Sequence, residues 1–290
     1  ASADDVCDII SYTPFEVADA TFTGTTTLDG AVVINESSAD VDFRVEGNGL
    51  THALFVDGET DNVMIGTSFA GRATEGADRL TIADASHSGM TIRSGVNAYG
   101  SINFSDSEGG AGEYAGQIWF GHGTLGNKLV LASGGTNKVI VDSTGAVTMP
   151  LQPAFLVKPA SNQENIALNA DTTIVFGTEI FDQNADFASN TFTAPVTGKY
   201  QLNISMTLAQ LDTSTQYVQL FLVTSNRTIP KVYSFQQFSG DITYWGLQTS
   251  ALVDMDASDT CTIQLNLHNS GTAQTDVLAS YTMFSGYLVA

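Results

Sequence analysis

The chain has 290 residues, enough for two domains, and its 43% apolar content is ample for a packed core. Its 31 acidic residues outweigh 10 basic ones, and the net charge of −21 repels nucleic acid and anionic lipid, excluding both as partners. No stretch approaches the ~18 apolar residues of a membrane span, and no C-x-x-C spacing for zinc occurs.

Residues 1–40 open with "ASADDVCDIISYTPFEV", acidic and without the apolar run of a signal peptide. A first residue of Ala1 fits a cytoplasmically made chain that has lost its initiator Met. The segment ends in Thr-rich, Gly-punctuated sequence that suits short extended pieces and offers too little apolar surface for its own core. Cys7 and Cys261 lie too far apart in sequence to form a disulfide framework, and both read as unpaired thiols, Cys261 as a small apolar strand residue.

Residues 41–150 are rich in Gly and Ser, with short apolar runs such as "RLTIAD", "SINFSD", "GQIWFGH" and "KLVLAS". Helical periodicity is almost absent from the chain, and alternation of apolar and polar residues predicts strands. One phrase occurs twice. "LFVDGETDNVMIG" (Leu54–Gly66) returns as "VIVDSTGAVTMP" (Val139–Pro150), each a run closing on Val-Asp, then a polar turn, then a second apolar run. Asp57 and Asp142 are the equivalent acids, and the later turn is shorter. A repeated strand-turn-strand unit is a structural module rather than a catalytic one. Strands this short fill a core poorly within one chain, but can do so when several chains wrap one axis, which also removes free sheet edges.

Pro150, Pro153 and Pro159 then predict a stiff connector. Residues 151–290 carry longer, more apolar strands, including "QYVQLFLVTS" and "CTIQLNLHNS", and read as a two-sheet sandwich. The fold class is therefore all-β throughout.

Candidate chemistry is sparse. His52, His87, His122 and His268 are scattered, and no Ser occupies a G-x-S-x-G elbow. Glu108 with Glu113, and Asp254, Asp256 and Asp259, are the carboxylates that a glycan hydrolase could pair, but both groups read as solvated loops. The second group lacks the Gly and distal Glu of a calcium loop. No catalytic residue, metal or cofactor is assigned. "KVYSFQQFSGDITYWG" (Lys231–Gly246) gathers aromatics around a polar turn, and Gln237, Asp241, Tyr244 and Trp245 are the candidate receptor-binding residues, with sandwich core as the competing role for the aromatics.

Two stretches of the last region carry a resemblance. In "IFDQNADFASNTFTAPVTGKYQLNI", Phe181, Phe187 and Phe192 stand as core aromatics, with Pro195 and Gly198 at a turn and Tyr200 opening the next strand; "MFSGYLVA" supplies Phe284, Ser285, Gly286, Tyr287 and Leu288. These resemble the complement C1q and tumour-necrosis-factor family of trimeric jelly-roll heads. Two departures are a short loop between Phe187 and Phe192, and Leu202 where the family usually has Phe. The Gly-rich "NAYGSINFSDSEGGAGEYAGQIWFGHGTLGNKLVLASGGTNKVIVDSTGAVTM" resembles bacteriophage tail-fibre shafts.

Together the resemblances imply an elongated trimeric β-rich shaft (41–150) followed by a jelly-roll head (151–290), with residues 1–40 as a virion-attachment segment. The expected protein is a non-enzymatic homotrimeric viral fibre located on the virion. It would contact other virion proteins through its N-terminal end and a host surface glycan or outer-membrane protein through its head. A capsid decoration or head fibre, and a glycan depolymerase, are the alternatives. A trimer would carry 3 × −21 = −63 charges and would be steadier in salt, since screening length falls from about 10 Å at 0.1 M to about 3 Å at 1 M.

Overall fold

The computed structural model describes residues 25, 27, 29, 30, 34, 40–69, 79–236, 238–269 and 271–290. Most of the expected N-terminal attachment segment, including Cys7, lies outside the described residues, as does Gln237. Internal contacts divide the chain into Ala1–Thr91 and Ile92–Ala290, so the expected boundary near Pro150 falls within the second unit.

The first unit holds β1 (Phe43–Gly47), β2 (Leu50–Val56), β3 (Val63–Ile65) and β4 (Leu80–Ile82) in one sheet of that order. Phe55 and Met64, opposite each other on β2 and β3, are its buried apolar pair. The turn after β2 is closed by Asp57, whose Oδ1 accepts the N–H groups of Glu59 (2.9 Å) and Thr60 (3.0 Å). Local side-chain acceptors of this kind give the turn backbone partners it would otherwise find only in water.

The second unit begins with an antiparallel meander of β5 (Tyr99–Phe104), β6 (Gly116–Gly121), β7 (Lys128–Ser133), β8 (Thr136–Val141) and β9 (Val147–Thr148). Gly134 and Gly135, at φ +57° and +72°, form the two-residue turn between β7 and β8. Both positions are left-handed, a geometry that glycine adopts without a side-chain penalty. The β8–β9 turn is the second copy of the repeated phrase. Asp142 Oδ1 accepts from the Thr144 N–H (2.8 Å), the Thr144 hydroxyl (2.7 Å) and the Ala146 N–H (3.0 Å). The repeat is thus a hairpin clamped by its own aspartate in both places.

The remaining strands form a sandwich of two six-stranded sheets. They are β10 (Ala154–Lys158), β11 (Thr172–Thr173), β12 (Thr178–Asp182), β13 (Phe187–Ala188), β14 (Thr191–Thr193), β15 (Gly198–Leu211) and β16 (Thr215–Thr224), followed by β17 (Thr228–Ser234), β18 (Ile242–Met255), β19 (Thr260–Asn269), β20 (Asp276–Val277) and β21 (Met283–Leu288). One sheet runs β12-β10-β21-β15-β18 with β20 on β15, and the other β13-β14-β19-β16-β17 with β11 on β19. Strands adjacent in space but distant in sequence make this a jelly roll, and the chain is all-β as its alternation predicts. Pro153 is buried and β10 follows it at once, so Pro159 lies beyond the first head strand rather than in the connector. The connector itself is held: Gln183 Nε2 donates to the Met149 and Gln152 carbonyls (2.9 and 2.8 Å), and Asn184 Nδ2 to the Leu151 carbonyl (3.0 Å).

The core between the sheets is aromatic at one end. Phe155 stacks on Phe192 (4.7 Å) and Phe187 (5.3 Å) and meets Phe284 edge-on (5.0 Å). Side chains of this size contribute about 1.5–3 kcal/mol each when fully buried. Phe187, Phe192, Tyr200 and Phe284 lie in this core, and Leu288 packs against it. Phe181 does not: it is 49% exposed. A bulge at Ile180 in β12 sets Phe181 opposite Leu156, on the outer face of the sheet. Phe176 fills the inner position instead, edge-on to Phe187 at 6.0 Å. The short Phe187–Phe192 loop is a two-residue turn in which Ser189 (φ 50°) and Asn190 (φ 67°) are both left-handed.

Candidate functional site

Of the four residues proposed from sequence for receptor contact, the three described ones do not converge. Gln237 lies outside the described residues. Asp241 accepts the Thr213 N–H (2.9 Å) and the Gln274 side-chain amide (3.1 Å), so it joins two neighbouring loops. Those same bonds, the Thr213 backbone first, hold its carboxyl below the usual aspartate range. Tyr244 and Trp245 are consecutive on β18 and therefore point to opposite faces. Trp245 is half-buried, edge-on to Phe235 (5.2 Å) and Phe238 (5.5 Å), and packs against the sandwich core. Its indole N–H has no acceptor among the described residues. Tyr244, 65% exposed, looks outward.

The carboxylates are tied into turns. Asp254 pairs with Arg227 at 2.7 Å. Asp259 accepts from the Ser225 hydroxyl (2.7 Å), the Asn226 amide and the Asp256 N–H (2.8 Å), and these bonds, Ser225 foremost, hold its pKa below the usual aspartate range. A glycosidase acid needs the opposite shift. Glu108 and Glu113 are exposed in and beside the one-turn helix Gly110–Tyr114. Of the histidines, His268 stacks on Tyr217 (3.9 Å) and contacts Gln219 Oε1 (3.1 Å), while His52 and His122 lie beside Phe55 and Phe120. Among the described residues no three His, Cys, Asp or Glu side chains gather as a metal site.

Two apolar faces are the more prominent feature. In the meander, register places Ile102, Ile118, Leu131 and Val139 in one row, and Phe120, Leu129 and Val141 in the next. All point the same way, and Ile102, Ile118, Phe120, Leu129 and Leu131 are each 38–42% exposed, whereas Val130 on the opposite face is fully buried. The second face is the outer side of the head sheet. Tyr287 and Leu252 flank Gln201 across β21, β15 and β18, and are 49% and 58% exposed. Phe181, Met283 and Tyr244 share this side. The meander face is contiguous apolar surface of the kind that marks interaction sites on soluble proteins, whereas on the head sheet Asn203, Ser205, Gln248, Ser250 and Ser285 stand between the apolar residues. Sequence alternation gave these strands, but not which side would be left uncovered, because that depends on which sheets find a partner.

Residues 154–289 match the C1q domain family. Among solved structures, the globular domain of zebrafish complement 1qA aligns over 48% of this chain and 98% of its own, at 18% identity and a TM-score of 0.36. Murine APRIL at pH 5.0 aligns over 48% of this chain and 99% of its own, at 10% identity and a TM-score of 0.36. No curated protein matches the sequence. C1q-like domains commonly form trimers, bind partners and are typically non-enzymatic.

Proposed function

We propose that this chain is a non-enzymatic, homotrimeric fibre protein of a virus, whose part is to attach the virion to a host surface receptor. The observation that carries the trimer is the apolar face of the β5–β9 meander. Its two rows are left partly exposed among the described residues, and burial against two further copies would remove that surface from water at roughly 25 cal/mol per Å². The outer face of the head sheet belongs to the same assembly, which accounts for Phe181, Leu252 and Tyr287 standing exposed. The match of residues 154–289 to a domain that commonly trimerises supports this choice of partner. Tyr244 then belongs to the subunit contact rather than to the receptor.

Three weak receptor sites on one particle, repeated over several particles, give secure attachment through effective concentration. The fibre reading is supported by the Gly-rich clamped hairpins preceding a globular head. The first test is solution mass. A trimer weighs 3 × 30.6 = 91.8 kDa, and a stable 30.6 kDa monomer overturns the assembly. Charging the face with Ile118→Asp and Leu131→Asp should abolish the trimer. For attachment, purified protein should compete with virions for host cells; failure to compete removes the adhesive role while leaving the trimer intact.

A further inference from the structure

The other face of the meander differs in chemistry. Register puts Asn103, Gln117, Ala132 and Asn137 in one row, Ser101, Trp119, Val130 and Ile140 in the next, and Tyr99, Gly121 and Lys128 in a third. An amide row therefore borders a tryptophan. The small residues Ala132 and Gly121 leave a hollow of about 520 Å³ lined by Tyr99, Gln117, Trp119, Lys128 and Asn137 among others. That is inside the range of roughly 300–1,000 Å³ usual for small-molecule sites.

The indole is held in place. A Cβ added at Gly121 would stand 2.9 Å from Leu125 Cβ and 3.0 Å from Trp119 Cζ3, so the glycine makes room for both the leucine and the ring. Tyr99 flanks it at 6.0 Å, tilted by 60°, and Lys128 Nζ stands 5.8 Å from the ring centroid, within reach of a cation–π contact. Gln117 Nε2 donates to Asn103 Oδ1 at 3.1 Å. That single bond leaves further amide donors and acceptors along the row, since each primary amide carries two N–H donors and one acceptor oxygen.

We propose that this hollow is a saccharide site that takes a neutral pyranose, the ring's C–H face on Trp119 and its hydroxyls on Gln117, Asn137 and Lys128. A flat aromatic shelf beside fixed amides suits a ligand with one apolar face and a hydroxylated rim. The net charge of −21 disfavours a polyanionic glycan. The site supplies a ligand class for the attachment reading and rests on that reading for its use, but not on the trimer for its geometry. The lining of this hollow shares no residue with the apolar face turned toward other copies.

The experiment is saturation-transfer NMR on the full chain with the methyl glycosides of glucose, galactose, mannose and glucuronic acid. Transfer to at least one neutral glycoside is expected, with affinity reduced about tenfold or more by Trp119→Ala and also weakened by Gly121→Ala, which displaces the ring without removing it. Tyr281→Phe, at an exposed tyrosine of the head, should leave binding unchanged. Absence of transfer to every neutral glycoside, transfer to the glucuronide alone, or binding that survives Trp119→Ala overturns the site. Competition with virions separates the two readings. If Trp119→Ala protein still blocks host cells as well as the parent does, attachment stands and the saccharide site falls.

Discussion

A Cβ added at Gly286 would stand 2.6 Å from Leu202 Cδ2 and 2.7 Å from Phe155 Cε1. Leu202 could shift, but the Phe155 ring is fixed between Phe192, Phe187 and Phe284. Gly286→Ala should therefore lower head stability by about 1–3 kcal/mol, read from the urea midpoint. The same closeness explains why Leu202 suffices where a larger ring was expected from the resemblance: Phe155 already fills the space. Cys261 is buried on β19, and burial pushes its thiol up to about 12. In a Cys7→Ser background it should resist an aromatic disulfide reagent at pH 8 and react once guanidinium unfolds the head, because the thiolate is the reactive form. Phe187, Phe192 and Phe284 were legible as core from their place in the motif; Phe181 was not, because a strand bulge, invisible in composition, decides which face it meets.

Among the elements, the clamped turns set the response to acid. Hydrogen bonds hold four carboxyls below the ordinary aspartate range: from the Thr144 hydroxyl to Asp142, from the Ser214 N–H to Asp212, from the Thr213 N–H to Asp241, and from the Ser225 hydroxyl to Asp259. A carboxyl lowered in the folded state stabilises it above the unfolded value of about 3.9 and loses that contribution as pH falls through the lowered one. Asp186 has the opposite sign, raised by burial and then by Asp182, so its protonation comes first and favours the fold. The melting temperature should thus hold or rise slightly toward pH 4, then fall below it. Asp142→Ala should lower the melting temperature at pH 7 and flatten the acid limb, and amide exchange at Thr144 and Ala146 should quicken. The repeated Val-Asp phrase made both hairpins readable in advance, since a turn whose acceptor is local is written in local sequence.

At the scale of the molecule, charge opposes assembly while apolar faces favour it. The proposed trimer brings three sets of −21 together, and salt should raise its melting temperature between 0.05 and 1 M NaCl by screening that repulsion. A monomer with dispersed charge would respond less, so the slope should shrink in the Ile118→Asp, Leu131→Asp variant. The head was legible because both its ends carry motif residues, Phe187 to Tyr200 and Phe284 to Leu288. The proposed subunit contacts and the Trp119 hollow were not. Both depend on which residues of neighbouring strands share a row, and strand register is fixed by turns and packing rather than by any one strand.

The connector between β9 and β10 has a mechanical consequence. It enters the head along β10, an interior strand hydrogen-bonded to β12 on one side and β21 on the other. Tension pulling on Met149 must first strip the Gln183 and Asn184 contacts, and then slide β10 lengthwise past both neighbours at once. Ladders loaded in shear break together, whereas an edge strand peels one bond at a time. The head is therefore joined through a strand that must shear from two neighbours rather than peel from one.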